Sequence, residues 1–334
     1  MTETSVSSLA LPVVDSVLEA RLRERLAEVE ARLEREIQSE APFITEACRH
    51  LMHAGGKRFR PLLVLLAAET GDAAAEGVVT AACVVELTHL ASLYHDDVMD
   101  EAALRRGADS ANARWDNHVA ILAGDWLFSK SSELTAELGP EAVRIQAETF
   151  TRLVEGQILE TQPAPPGQDL LEHYLRVVTG KTGSLIATSA RYGAMFAGAS
   201  PEVVTALAEY GDKVGVAFQL SDDILDVGSD SEESGKTPGT DLREGVPTLP
   251  TLLARRSADP SDARLLELLD GPITDDGLHA EALGLLRSHS AMAEARSYVL
   301  DLAREATERL SVLPPSPAKD ALVAFAELIA TRTA

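Results

Sequence analysis

Aromatic side chains are scarce: Phe, Trp and Tyr supply 4% of the 334 residues. β-Branched runs are also short. Together these argue against a core built of strands, which favour both residue types. Cysteine is almost missing. Cys48 and Cys83 are too few for a disulfide framework or a cysteine metal cluster, and a reducing interior is expected. Positive charge is in short supply: 30 Lys and Arg stand against 53 Asp and Glu, a net charge of −23. That excludes a broad nucleic-acid-binding surface and leaves room for local basic pockets. No apolar run is read as reaching the ~18–20 residues of a membrane span. Met1–Ser8 does not have the make-up of a signal peptide, so a cytoplasmic protein is expected.

What the chain does have is helix formers. Ala, Leu and Glu dominate, and 45% of residues are hydrophobic, so an all-α fold with a substantial core is expected. Residues 1–12 are small and polar and read as a loose tail. No repeat or long linker divides the remainder, and 13–334 is expected to form one domain.

Val14–Ile37 carries apolar residues at helical spacing, and a shorter helix over Phe43–His53 ends at Gly55-Gly56. Lys57-Arg58-Phe59-Arg60-Pro61 then opens a helix over Leu62–Glu69. Lys57 and Arg60 are neighbours at or near a helix N-terminus, which suits an exposed basic turn or a phosphate site. Ala74–Glu101 is a long apolar helix, and Asn112–Leu138 and Glu141–Gln162 read as two more. Leu170–Thr179 precedes Gly180-Lys181-Thr182-Gly183, where two glycines are expected to break the helix. The break is either a phosphate contact or a plain junction; a P-loop signature is absent. Pro201–Val227 is a second long helix. Gly228–Arg243 reads as a mobile lid or a surface loop, and Pro247–Arg256 resumes helix ahead of an amphipathic C-terminal region.

Two acidic clusters stand out. Asp96-Asp97 with Asp100 ends the Ala74–Glu101 helix, and Asp222-Asp223 with Asp226 ends Pro201–Val227. Residues four apart share a helix face, so Asp96 projects with Asp100 and Asp222 with Asp226. Crowded carboxylates repel unless a cation joins them. Hard oxygen ligands on few side chains suit Mg²⁺, which commonly bridges carboxylate and phosphate. A diphosphate held by Mg²⁺ between two facing helices is therefore expected. His89 lies two turns before Asp96, Arg105-Arg106-Gly107 follows the first cluster, and Gln219 precedes Asp222.

In this order, from about Gly55 to Pro250, the motifs resemble those of the trans-isoprenyl diphosphate synthases, or polyprenyl synthetases. Gly55–Pro61 resembles that family's isopentenyl diphosphate motif, and Asp96–Asp100 with Arg105–Gly107 its first aspartate-rich motif. Lys181-Thr182-Gly183 resembles its lysine motif and Phe218–Asp226 its second aspartate-rich motif, with Gly235-Lys236 and Gly239–Leu242 matching the loop that follows. The resemblance implies antiparallel helices around a central cavity, usually in a homodimer. It implies Mg²⁺ ligated most directly by Asp96, Asp100 and Asp222, with Asp97, Asp223 and Asp226 ligating or orienting. Lys57, Arg60, His89 and Arg106 would hold isopentenyl diphosphate. Arg105, Lys181, Thr182, Gln219 and Lys236 would hold an allylic diphosphate. Catalysis would rest on Asp96, Asp97, Asp100, Lys181, Asp222 and Asp223. The family often has a lysine where this chain has Val246, so no phosphate contact is expected there.

Bulky residues four or five places before the first aspartate shorten the product in this family. Here those places hold the small Ser92 and Ala91, and Thr88 lies deeper. A product longer than farnesyl is expected, geranylgeranyl or a longer polyprenyl such as a quinone side chain, unless Trp126 or Phe128 supplies the floor. The competing readings are a terpene cyclase and a non-catalytic subunit of a heteromeric synthase. Against them stand the second aspartate cluster and the intact basic motifs.

Overall fold

A computed structural model describes residues 15–228 and 238–332. The expected N-terminal tail, Lys236 and most of the expected lid lie outside the described residues. Among the described residues the fold is all-α, apart from one ribbon of two two-residue strands. The helices run α1 Ser16–Glu36, α2 Pro42–His53, α3 Phe59–Ala68, α4 Glu76–Met99, α5 Ala111–Arg114, α6 Asn117–Glu137, α7 Pro140–Glu160 and α8 Leu170–Val178. After a π-helical turn at Thr179–Gly183 come α9 Ser184–Phe196, α10 Pro201–Gly228, α11 Thr240–Glu244, α12 Leu249–Ala254, α13 Ala263–Leu268, α14 Asp276–Ser288, α15 Ser290–Arg309 and α16 Pro317–Thr331.

The chain forms two compact units. One comprises Met1–Thr151, Leu185–Gly211 and Leu310–Ala324. In it α4 packs against α1, α3 and α6. The Asp15 carboxylate caps α1 by accepting from the Leu18 amide at 2.7 Å, and Leu18, Leu22, Val29 and Leu33 are buried. The few aromatics serve as ties. The buried Tyr94, Tyr192 and Tyr210 donate to the carbonyls of Ala47, Ala142 and Leu322, each from a distant stretch of chain.

Helix α4 departs from expectation. It is long and apolar enough to cross a membrane, yet 72% of its most apolar 18-residue window is buried inside the protein. A helix wrapped by neighbours is apolar all round without meeting lipid.

The expected Asn112–Leu138 helix is two helices. Trp115 leaves helical geometry, and Asp116 caps α6 by accepting from the Val119 amide at 2.8 Å. An aspartate at this position gains more as a cap than inside a helix. The loop after α4 is a hairpin in which Leu104 pairs Asp109 and Arg105 pairs Ala108. Its two turn residues, Arg106 and Gly107, have φ of 56° and 78°, the signature of a tight turn that matches strand twist.

The second unit comprises Arg152–Ser184, Asp212–Arg309 and Phe325–Ala334. The two glycines here do not break the helix: Thr179–Gly183 is a π turn continuous with α8 and α9. Gly156 and Gly180 allow α7 to lie against this turn, since a Cβ on Gly156 would strike the Lys181 backbone nitrogen. A π turn adds a residue to a helix without ending it, and such turns recur at functional sites.

Candidate active site

In the first unit, the last turn of α4 splits its aspartates. Asp96 is half-buried and Asp100 exposed, whereas Asp97 is fully buried. One oxygen of Asp97 accepts from Arg105 at 2.6 Å, and the other is buried without a hydrogen-bond partner. Burial pushes the Asp97 carboxyl above its ordinary range, and the Arg105 bond opposes this. Asp97 therefore faces inward, away from the exposed side where Asp100 stands, and Arg105 is committed to it.

Basic residues gather around His89 and Glu86. Arg58 sits in the left-handed region at φ 47° and turns inward. It donates to Glu30 at 2.5 Å, to Glu86 at 3.4 Å and to the Met52 carbonyl at 2.9 Å. Arg106 donates to the carbonyls of Leu51, at 3.0 Å, and Gly55. The Arg60 Nε is buried without a hydrogen-bond partner, and Lys57 is exposed. Burial raises the pKa of Glu86 against the pull of Arg58, Arg60 and Arg106. Burial also lowers His89 well below its ordinary 6.5, reinforced by Arg60, Arg106, Arg105 and Arg58, so the imidazole is neutral. Burial brings Arg60 down to about 10 and also lowers Arg106. Cations that depress one another's pKa are held together against repulsion, and an anion among them relieves it.

Glu86 and Arg58 are the residues the sequence reading missed. The signal was available: a lone carboxylate in an apolar helix, three residues before His89, needs a partner.

The residues expected to set product length lie in the same unit. Ala91 and Thr88 are fully buried, and Ser92 is half-buried with its hydroxyl on the His89 carbonyl at 2.9 Å. Thr88 shares a hydrogen bond of 2.8 Å with Ser131 and accepts one of 2.6 Å from Gln146. Phe128 stacks at 4.6 Å between centroids on Phe150.

In the second unit, Asp222 is exposed and accepts from Arg332 at 2.8 Å. Asp226 accepts from the Thr240 and Asp241 amides at 3.2 Å each and so caps α11. Asp223 is buried at 5% exposure. It accepts from the Tyr174 hydroxyl, from Gln219 at 3.2 Å and from the Leu249 amide at 3.4 Å. Burial pushes Asp223 up to about 6, and those bonds oppose the shift. Lys181 pairs with Glu160 at 2.6 Å, and Thr182 donates to Gln219 at 3.2 Å. Val246 is 38% exposed, and no cation stands at its position. The sequence reading left Asp97 and Asp223 to ligate or to orient; in both clusters this middle aspartate is a buried acceptor.

The family model for polyprenyl synthetase matches residues 41–285. A nonaprenyl diphosphate synthase of Mycobacterium tuberculosis is 50% identical over 321 residues, 95% of either chain. A geranylgeranyl pyrophosphate synthase of Corynebacterium glutamicum, solved with calcium and isoprenyl diphosphate, superposes with a TM-score of 0.87 at 46% identity, covering 96% of this chain and 99% of that one. A decaprenyl diphosphate synthase of Rhodobacter capsulatus superposes at 0.86 with 35% identity, covering 95% and 99%. With all five motifs in order, and with relatives this similar along nearly the whole chain, the protein belongs to the polyprenyl synthetase family and is a prenyltransferase of the trans-isoprenyl diphosphate synthase class.

Proposed function

We propose that this synthase, one catalytic domain over 13–334, condenses isopentenyl diphosphate head-to-tail with an allylic diphosphate. Its product is a polyprenyl diphosphate longer than farnesyl. The observation that carries the reading is the guanidinium cluster around neutral His89, on the helix that carries Asp96 and is C-capped by Asp100. In a chain of net charge −23, concentrated buried positive charge is built for a small polyanion. Lys57, Arg60, His89 and Arg106 hold the isopentenyl diphosphate, with Glu86 and Arg58 fixing the arginines. Lys181, Thr182 and Gln219 contact the allylic diphosphate, as does Lys236. Arg105 acts through Asp97.

The donor set fits Mg²⁺. Asp96 and Asp100 in the first unit, and Asp222 in the second, each offer hard carboxylate oxygens. Such a set suits a cation that keeps water and phosphate oxygens around it. When bound, Mg²⁺ supplies charge stabilisation to the departing diphosphate. The protein's cations share that load and orient the isopentenyl double bond toward the allylic carbon. Bond formation leaves a tertiary cation that loses a proton to the released diphosphate, so no protein nucleophile takes part.

Small Ala91 and Ser92 favour a long product, and the relatives named for nonaprenyl and decaprenyl products agree with it. The exposed Ile121 and Leu122 on α6 and Val143 and Phe150 on α7 are suited to a homodimer interface. The protein is cytoplasmic and releases a membrane-destined product. The test is incubation of the purified protein with Mg²⁺, isopentenyl diphosphate and each allylic primer, followed by chromatography of the dephosphorylated products. Elongated prenols are expected, and none with added chelator. No elongation from any primer overturns the reading, and a cyclic hydrocarbon from an allylic diphosphate alone replaces it with a cyclase.

A further inference from the structure

Tyr174 stands seven residues before Lys181, outside every motif that identified the family. Its hydroxyl donates to one oxygen of Asp223, which also accepts from the Leu249 amide at 3.4 Å. The other oxygen accepts from the Gln219 amide nitrogen at 3.2 Å, and the Gln219 carbonyl accepts from Thr182 at 3.2 Å. Each link fixes the next. With Thr182 donating at one end and Asp223 accepting at the other, only one orientation of the Gln219 amide serves both. The chain of bonds joins α8, the π turn, α10 and the first residue of α12. Both oxygens of Asp223 are already engaged, and the residue is 5% exposed.

We propose that Tyr174 is a positioning residue and that Asp223 is the anchor it holds: together they set Thr182 and Asp222 for the metal-bound allylic diphosphate, and Asp223 is not itself a metal ligand. This rests on the function proposed above. Asp222 is the next residue along α10, so a carboxylate of Asp223 that turns freely lets the helix turn carrying Asp222 shift as well. Thr182 follows through Gln219. The isopentenyl diphosphate groups have no member in this network. Loss of the tyrosine hydroxyl therefore falls on one substrate and on the metal.

The experiment compares wild type, Tyr174→Phe and Asp223→Asn. Two readouts are taken. One is steady-state kinetics in each substrate and in free Mg²⁺. The other is the Mg²⁺ concentration for half-maximal thermal stabilisation in the presence of inorganic pyrophosphate, which needs no turnover. For Tyr174→Phe, the KM for the allylic substrate and both Mg²⁺ midpoints are expected to rise about tenfold, the loss of one hydrogen bond to a charged group. The KM for isopentenyl diphosphate should move less than about twofold on the same scale. Asp223→Asn should resemble Tyr174→Phe. Equal changes in both KM values, or unchanged Mg²⁺ midpoints, overturn the proposal. Absence of turnover in the wild type overturns the synthase reading instead, and the pyrophosphate midpoints still decide the role of Tyr174.

Discussion

The guanidinium of Arg332 donates to the Asp222 carboxylate at 2.8 Å and to the Phe218 carbonyl at 2.6 Å, and lies 4.5 Å over the Phe218 ring. Residue 332 directly follows the last helix, so the end of the described chain places a cation on a proposed metal ligand. The ion pair and the metal then compete for one oxygen. The two side chains are 25% and 46% exposed, and a pair this open is worth below about 1 kcal/mol. Arg332→Ala is expected to lower the half-saturating Mg²⁺ concentration about two- to fivefold. Initial rates against free Mg²⁺ measure it, and an unchanged or higher requirement would show that Arg332 does not guard Asp222.

His89 gives the stability a pH dependence of known sign. Its folded pKa is held well below the ordinary 6.5 by burial and by the four arginines around it. In the unfolded chain the imidazole takes up a proton below 6.5, and in the folded protein it does not. The stability held above 6.5 is therefore lost as pH falls below it, by about 1.4 kcal/mol per pH unit at most. His89→Gln keeps a polar side chain and removes that proton. Between about pH 7.5 and about pH 5.5 the variant should lose about 1 kcal/mol less than wild type. Urea unfolding at the two pH values measures this, and equal losses count against a neutral, buried His89.

Ala91 is fully buried, five residues before Asp96 on α4. If the product grows past it, a larger side chain there ends elongation early. Each turn of helix spans ~5.4 Å, about one isoprene unit. Ala91→Phe is expected to shift the product distribution to shorter chains while elongation continues. Reversed-phase chromatography of the prenols reads the change, and an unaltered distribution would move the floor to another helix.

Gly193 on α9 packs against the backbone of α3. A Cβ there would lie inside contact distance of the Val64 carbonyl oxygen and 2.7 Å from the Ala67 Cβ. Backbone cannot swing aside as a long side chain can. Gly193→Ala is expected to cost about 2–4 kcal/mol of stability despite its better helix propensity. A chemical denaturation midpoint at or above that of wild type would contradict the packing.

The motifs were legible because chemistry constrains them locally. Asp96 and Asp100 share a helix face wherever that helix lies, and Lys57, Arg60 and Arg106 announce themselves in an acidic chain. Helix content was legible for the same reason, since propensity and periodicity act over a few residues. The misreadings came where two local preferences competed. Asp116 capped a new helix inside an apparently continuous one, and the glycines at 180 and 183 allowed a π turn, not a break. Helix α4 was not recognised as long and apolar enough to cross a membrane because Thr80, Glu86, Thr88 and His89 interrupt its apolar run while its average stays apolar; burial then tells a core helix from a spanning one.

By itself, then, the sequence determined the helical class, the order of the diphosphate and metal motifs, and the family. Only the tertiary structure decided which aspartate of each cluster turns inward. Asp97 meets Arg105 eight residues away, and Asp223 meets Tyr174 across 49 residues and Leu249 across 26. The aspartates of each cluster are chemically identical as letters. Burial and the donors that folding brings to each carboxylate make one an anchor and another a ligand.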